Sequence, residues 1–210
     1  MKEVEKKQIL AAGEYYGLLR FLTNKHEEQH NLQIDHGNTQ NKHEEQHNLQ
    51  IDCGNIKIKH KKLYKLQINY YFDTEDFELY RKGGTLRVRQ IEQTLKIQYK
   101  YNKKIVGNTR ICDEYSAQTD TLPRALKNPV TKDNKVYKPV GVMVTDRYNF
   151  FIEDMTVSLD KNYYLGFIDY ELEIETDNLP DNKTEFLGID FSGSTDGKYQ
   201  RFIKRLRGLK

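Results

Sequence analysis

Glu3, Glu5 and Lys7 alternate with Val4 and Lys6 near the start of the chain. On a β-strand successive side chains point to opposite faces, so these three share one face, about 6.6 Å apart at each step. Two carboxylates and an ammonium on one face suit a site that takes a hard cation and an anion together. A solvated strand face alternates charges too, so the pattern needs support from elsewhere. A second carboxylate run, Glu171-Leu172-Glu173-Ile174-Glu175, lies far along the chain, with basic segments between. Thr85–Gln90 alternates Leu86 and Val88 with Arg87 and Arg89, and Thr94–Lys100 alternates Leu95, Ile97 and Tyr99 with Lys96, Gln98 and Lys100. The two segments read as a hairpin with one apolar face and one cationic face. If the sheet closes with the charged faces inward, carboxylates and cations line one cavity. Unneutralised buried charge is very costly. Such a cavity is expected to be wet and to favour a polyanion accompanied by metal.

The elements that would position these residues follow from periodicity. Ala11 to Asn24 reads as a helix, with Tyr15, Leu18, Leu19 and Leu22 on its apolar side. Leu63–Asp73 reads as a strand rich in tyrosine and isoleucine. Thr74–Asp76 caps a short helical turn through Leu79 and Tyr80, which Gly83-Gly84 ends. Thr109–Ser116 puts Arg110, Cys112 and Glu114 on one face. Thr121–Tyr137, with Pro123 and Pro129, is expected to be short helix and loop. Val140–Glu153, Met155–Asp160 and Tyr164–Glu175 are further strands, and Thr176–Asp190 reads as loop. Lys198–Leu209 reads as a basic helix that docks through Phe202 and Leu206.

With 210 residues the chain is expected to form one domain with a substantial core. Thirty-four basic residues against 31 acidic ones give a net charge of +3, which does not argue for a nucleic-acid partner. No apolar run reaches the roughly 20 residues that span a bilayer, and MKEVEKKQIL has no signal-peptide core. Two cysteines make no disulfide framework. The sequence thus predicts a soluble cytoplasmic protein. A homodimer is compatible with it, although no interface is legible.

Asn24–Asn38 recurs almost unchanged as Asn41–Asn55, giving a polar, tandemly duplicated insertion at about 24–55. Each copy holds a His-Glu-x-x-His, at His26/Glu27/His30 and His43/Glu44/His47. On a helix that spacing sets two histidines one turn apart, as in zinc proteases. The copies share one origin, their surroundings are strongly polar, and no third ligand is evident. A solvent-facing segment that loops out is the expected reading.

Several motifs in order resemble the CYTH superfamily, the triphosphate tunnel metalloenzymes. Glu3-x-Glu5-x-Lys7 resembles its N-terminal signature, and Asn69-Tyr70-Tyr71-Phe72-Asp73-Thr74 its Asn-x-Tyr-Phe-Asp-Thr strand. Leu86-Arg87-Val88-Arg89 resembles its Leu-Arg-x-Arg strand, Thr94-Leu95-Lys96 the next, and Glu171-Leu172-Glu173 its late Glu-x-Glu strand. The last is most similar to the version in small CYTH proteins of Gram-positive bacteria. The resemblance covers nearly the whole chain, read as a single CYTH domain over 1–210. It implies an α+β, β-dominated fold, an eight-stranded antiparallel barrel enclosing a tunnel, with helices outside. It implies metal ligation of Mg²⁺ or Mn²⁺ by Glu3, Glu5, Asp160, Glu171 and Glu173. It implies a phosphate grip by Lys7, Arg87, Arg89, Lys96, Arg147, Lys198 and Arg201, with Lys7 and Glu114 as catalytic residues. The substrate would be a triphosphate-containing small molecule, hydrolysed with metal.

Other activities keep a place beside hydrolysis. A class IV-type adenylate cyclase resembles the same barrel but needs a nucleobase pocket that no segment announces. Thiamine triphosphate would need a stacking platform, for which tyrosines would have to serve. A polyphosphate- or nucleotide-binding module that does not cleave is the non-enzymatic alternative; the many carboxylates favour catalysis.

Overall fold

The two-residue alternation of apolar and charged side chains is satisfied by closing one sheet on itself. The computed structural model describes residues 2–31, 58–130, 134–152, 154–175, 188–189, 191 and 196–208. The strands are β1 Lys2–Leu10, β2 Ile58–Asp73, β3 Thr85–Ile91, β4 Thr94–Val106, β5 Thr109–Thr119, β6 Leu126–Lys127, β7 Val136–Ile152, β8 Met155–Tyr164 and β9 Phe167–Glu175. The helices are α1 Ala12–Asn31, α2 Glu78–Arg81 and α3 Lys198–Leu206. Eight strands run in the order β2-β3-β4-β5-β1-β9-β8-β7, and β2 pairs with β7 to close an antiparallel barrel. The short β6 only borders the start of β7.

Register decides what faces inward. Glu5 lies opposite Arg110 on one side and Glu175 on the other. Arg147 pairs with Asp160, and Asp160 with Glu171. Residues directly opposite project to the same face, so one face collects these charges. The other face of β7, β8 and β9 carries Phe150, Val157, Leu159, Leu172 and Ile174, on which α1 seats Tyr15, Leu18 and Leu22.

Helix α3 closes one end of the barrel. Tyr199, Phe202 and Ile203 pack with Tyr71, Met143 and Tyr164 in a second apolar cluster. The seat depends on Gly141 in β7, because a Cβ there would stand 2.3 Å from Phe202 Cζ. Gly141→Ala is therefore expected to cost about 1–3 kcal/mol by overpacking. Urea unfolding measures this; an unchanged midpoint would show that Phe202 can leave its seat freely. Asp73 ties the same end together. Its carboxylate accepts from the Leu79 and Tyr80 amides at 2.9 and 3.0 Å and from the Tyr199 hydroxyl at 2.6 Å.

Four expectations change. The expected helix to Asn24 continues to Asn31, taking in the backbone of the first His-Glu-x-x-His. Its second copy, and the rest of the duplication, lie outside the described residues, as does most of Thr176–Asp190. Between 121 and 137 the described residues form no helix; Leu126–Lys127 pair with β7, which already begins at Val136. Tyr164 ends β8 rather than opening the next strand. Leu165 and Gly166 both take positive φ, 49° and 72°, which matches the two-residue hairpin turn. Leu206 does not dock: it is 42% exposed, and Ile203 fills the apolar contact beside Phe202.

Candidate active site

The barrel encloses a cavity of about 240 Å³. β1 contributes Glu3, Glu5 and Lys7, β3 contributes Arg87 and Arg89, and β4 and β5 contribute Gln98, Lys100, Arg110 and Glu114. Arg147, Glu173, Glu175 and Lys198 complete the ring. The expected residues Asp160 and Glu171 are fully buried and sit behind this lining. Arg201 lies with them. Lys96 shares a strand face with Gln98 and Lys100 but is exposed and does not line the cavity.

The charges form two assemblies. In the first, Asp160, Glu171 and Glu173 bring carboxylate oxygens within 4.8 Å of one another. Arg147 grips Asp160 through both Nε and Nη2, at 2.7 and 2.6 Å, and also donates to Glu173. Lys198 reaches Asp160 at 2.7 Å and Glu173 at 2.8 Å, and donates to Glu171. Lys7 donates to Glu173 and sits 2.9 Å from Glu5. Arg201 donates to Glu171 at 3.0 Å and to Asp169 at 2.9 Å. Burial alone would raise the pKa of Glu171, but Arg201, Lys198 and Lys7 hold it well below the usual carboxylate range. Burial opposes the charge of Lys7 as well, yet Glu173, Glu5 and Glu171 raise its pKa. Both assignments keep these groups ionised at neutral pH.

In the second assembly Glu3, Glu5 and Glu175 also converge within 4.8 Å. Lys100 donates to Glu3 at 2.5 Å. Burial, followed by the charge of Glu173, raises the pKa of Glu175. An all-carboxylate donor set suits a hard divalent cation. This second group fits one better than the first, whose oxygens are already engaged by four cations.

The opposite wall is short of anions. Among the described residues Arg89 donates only to the neutral Asn69, at 3.0 Å. Burial, and then Arg87 and Arg147, pull its pKa down to about 9. Arg87 donates to Gln98 at 3.0 Å, and Gln98 donates onward to Glu114 at 2.8 Å. Glu114 stays ionised: burial raises its pKa, but Lys100, Arg87 and Arg89 lower it further. Inward-facing guanidiniums held by neutral partners are a receptor for a multiply charged anion.

The motifs did not assign Lys100, Gln98, Arg110 or Glu175. The signal for each was strand parity, since each falls two residues or a multiple of two from an assigned residue. Cys112 lines the cavity; burial and then Glu3 push its thiol up to about 12, which disfavours the thiolate.

The model of the CYTH domain family matches residues 39–185. No curated protein matches the chain. Among solved structures, a Bacillus halodurans protein provisionally assigned as an adenylate cyclase is 20% identical, with 96% of this chain and 98% of that chain aligned and a TM-score of 0.58. A Hippeastrum protein, provisionally assigned as an adenylyl cyclase and described as revealing a dominant triphosphatase activity, is 18% identical over 99% of this chain and 97% of that one, with a TM-score of 0.63. A conserved protein of Pyrococcus furiosus is 12% identical over 95% and 99% of the two chains, with a TM-score of 0.51. At these identities the structural likeness speaks for the fold, and the family match covers well over half the chain. The barrel, its inward charges and that match together make this chain a member of the CYTH family.

Proposed function

We propose that the protein hydrolyses the terminal phosphoanhydride of a triphosphate, inorganic triphosphate in the first place, with Mg²⁺ or Mn²⁺. The observation that carries this reading is the facing of underneutralised guanidiniums, the buried Arg87 and the half-buried Arg89, against the carboxylate group Glu3, Glu5 and Glu175 in one partly open cavity. Phosphoryl transfer needs charge neutralisation and in-line placement more than a covalent nucleophile. Arg87, Arg89 and Arg147 hold phosphate oxygens through their planar forks, and Lys7 and Lys198 add compact charge where the leaving oxygen becomes negative. Glu3, Glu5 and Glu175 would hold the divalent ion, which neutralises phosphate oxygens when bound. Asp160, Glu171 and Glu173 hold Lys7, Arg147 and Lys198 in position. Glu114 is too acidic to be a strong base, so its role is to orient the attacking water. Water adds to the terminal phosphorus, the bridging P–O bond breaks, and orthophosphate leaves with pyrophosphate.

A cavity of about 240 Å³ holds a compact polyanion such as a triphosphate.

The test is phosphate release from inorganic triphosphate by purified protein, with Mg²⁺ or Mn²⁺ and an EDTA control, and with ATP and thiamine triphosphate in parallel. Release that EDTA abolishes, fastest from inorganic triphosphate, is the expected result. Cyclic AMP from ATP would move the protein to the cyclases. Tight triphosphate binding without release would make it a sensor.

A further inference from the structure

One wall of the cavity carries donors that the proposed triphosphate grip does not use. Arg110, on β5, is 8% exposed. Its Nη1 reaches Glu5 Oε1 only at 3.5 Å, and among the described residues Nε and Nη2 have no hydrogen-bond partner. Gln200, on α3, is 9% exposed, and its Nε2 is unpartnered in the same sense. Both side chains close on Gly197: a Cβ there would stand 2.8 Å from Gln200 Oε1 and 2.9 Å from Arg110 Nη1. Gly197 is also the N-cap of the nine-residue α3, without a side-chain cap and without an acidic residue in the first turn. The amides of that first turn, and the positive end of the helix dipole, are therefore available beside Arg110. Lys103 lines the same wall. Burial, and then the charge of Arg110, lower its pKa.

Unpaired buried donors cost free energy, about 1–3 kcal/mol for each group and more for a charged one. A folded chain that keeps several of them together, at the positive end of a helix, is arranged for an anion that arrives from solution. Arg110 lies four residues along β5 from Glu114, about 13 Å in an extended strand, so this cluster stands away from the Arg87–Gln98–Glu114 chain. The several terminal oxygens of a phosphate group match a guanidinium fork plus helix amides.

We propose that Arg110, Lys103, Gln200 and the first turn of α3 form a second phosphate subsite in the cavity. It deepens the hydrolase reading and rests on it for the identity of the anion. Its occupant is either orthophosphate, as a product on its way out, or the next phosphate of a linear chain longer than three.

The experiment is calorimetric titration, in EDTA to prevent turnover, of orthophosphate, inorganic triphosphate and a longer linear polyphosphate into wild type, Arg110→Gln and Lys103→Gln. Lys103 is half-buried and, unlike Arg110, forms no ion pair with Glu5 among the described residues, so its variant guards against a general disturbance by the loss of Arg110. Both variants are expected to lose about tenfold in affinity, the scale of one charge-assisted hydrogen bond, for one of the two diagnostic anions. Inorganic triphosphate should change by less than about twofold. A loss confined to orthophosphate identifies a product site; a loss confined to the longer chain identifies a chain-length subsite. Variants that bind all three anions like wild type, or that weaken triphosphate equally, overturn the proposal. Selective losses in a protein that releases no phosphate with metal present would sink the hydrolase reading and leave the subsite standing.

Discussion

Glu171→Gln is expected to lower phosphate release by about 10³-fold, at the upper end of what single preorganised electrostatic groups contribute. Glu171 has no exposed surface and touches Lys7 at 3.7 Å, Arg201 at 3.0 Å, and Lys198. Removing its charge frees Lys7 and Lys198, which the proposed mechanism needs in fixed places, and leaves Arg201 to Asp169. Glutamine keeps the volume and an oxygen that accepts from Arg201. Asp160 and Glu173 still flank Lys198. The barrel should thus stay folded at reduced stability, since breaking a buried ion pair costs about 3–5 kcal/mol when one partner is lost outright. Circular dichroism and a phosphate-release assay on the same sample decide the matter. A folded variant with the wild-type rate would remove Glu171 from the catalytic machinery.

Asp73→Ala is expected to cost at least about 3 kcal/mol of stability, because it strands several donors at once. The Leu79 and Tyr80 amides and the Tyr199 hydroxyl all point at this one carboxylate, which is 1% exposed. The loss should reach the site as well. Tyr199 is the neighbour of Lys198 on α3, so loosening it moves an ammonium held among Asp160, Glu171 and Glu173. KM for triphosphate should rise alongside the drop in urea midpoint. Thr74→Ala is the comparison. It removes the Thr74 Oγ1 bond from the Glu78 amide, 2.9 Å, and should cost only about 0.5–2 kcal/mol. Equal midpoints for the two variants would show that Asp73 does not hold α3 in place.

Much of this site was legible because strand parity is a local property. The alternation of Glu3, Glu5 and Lys7, and of Arg87 and Arg89, depends only on neighbouring residues, and the structure places all five in one cavity. Height along the barrel is not local. Lys96 has the right parity, yet pairs with Arg89 close to the β3–β4 turn and ends exposed. Which end of a strand reaches the cavity depends on the stagger of all eight strands. Lys198 was named by the family resemblance, but periodicity alone could not place it. A basic amphipathic helix reads equally well as a solvated surface helix, and only the Gly141 seat for Phe202 shows that α3 turns its first residues inward. The resemblance implied a closed barrel, but not that β2 and β7 close it, because both segments simply read as strands.

The position of β1 has a consequence for how the protein is made. This strand, first in the chain, lies between β5 and β9, whose partners for Glu5 are Arg110 and Glu175. Contacts between residues so distant in sequence form slowly, since a long loop must close before they are rewarded. A growing chain emerges with Glu3, Glu5 and Lys7 already synthesised but with no finished sheet to receive them. Strands β2 to β5 can zip as successive neighbours, whereas the carboxylate group completes only after the last strand has left the ribosome. Half-made chains therefore hold no assembled site, and activity should appear in a single late step together with barrel closure rather than growing in stages.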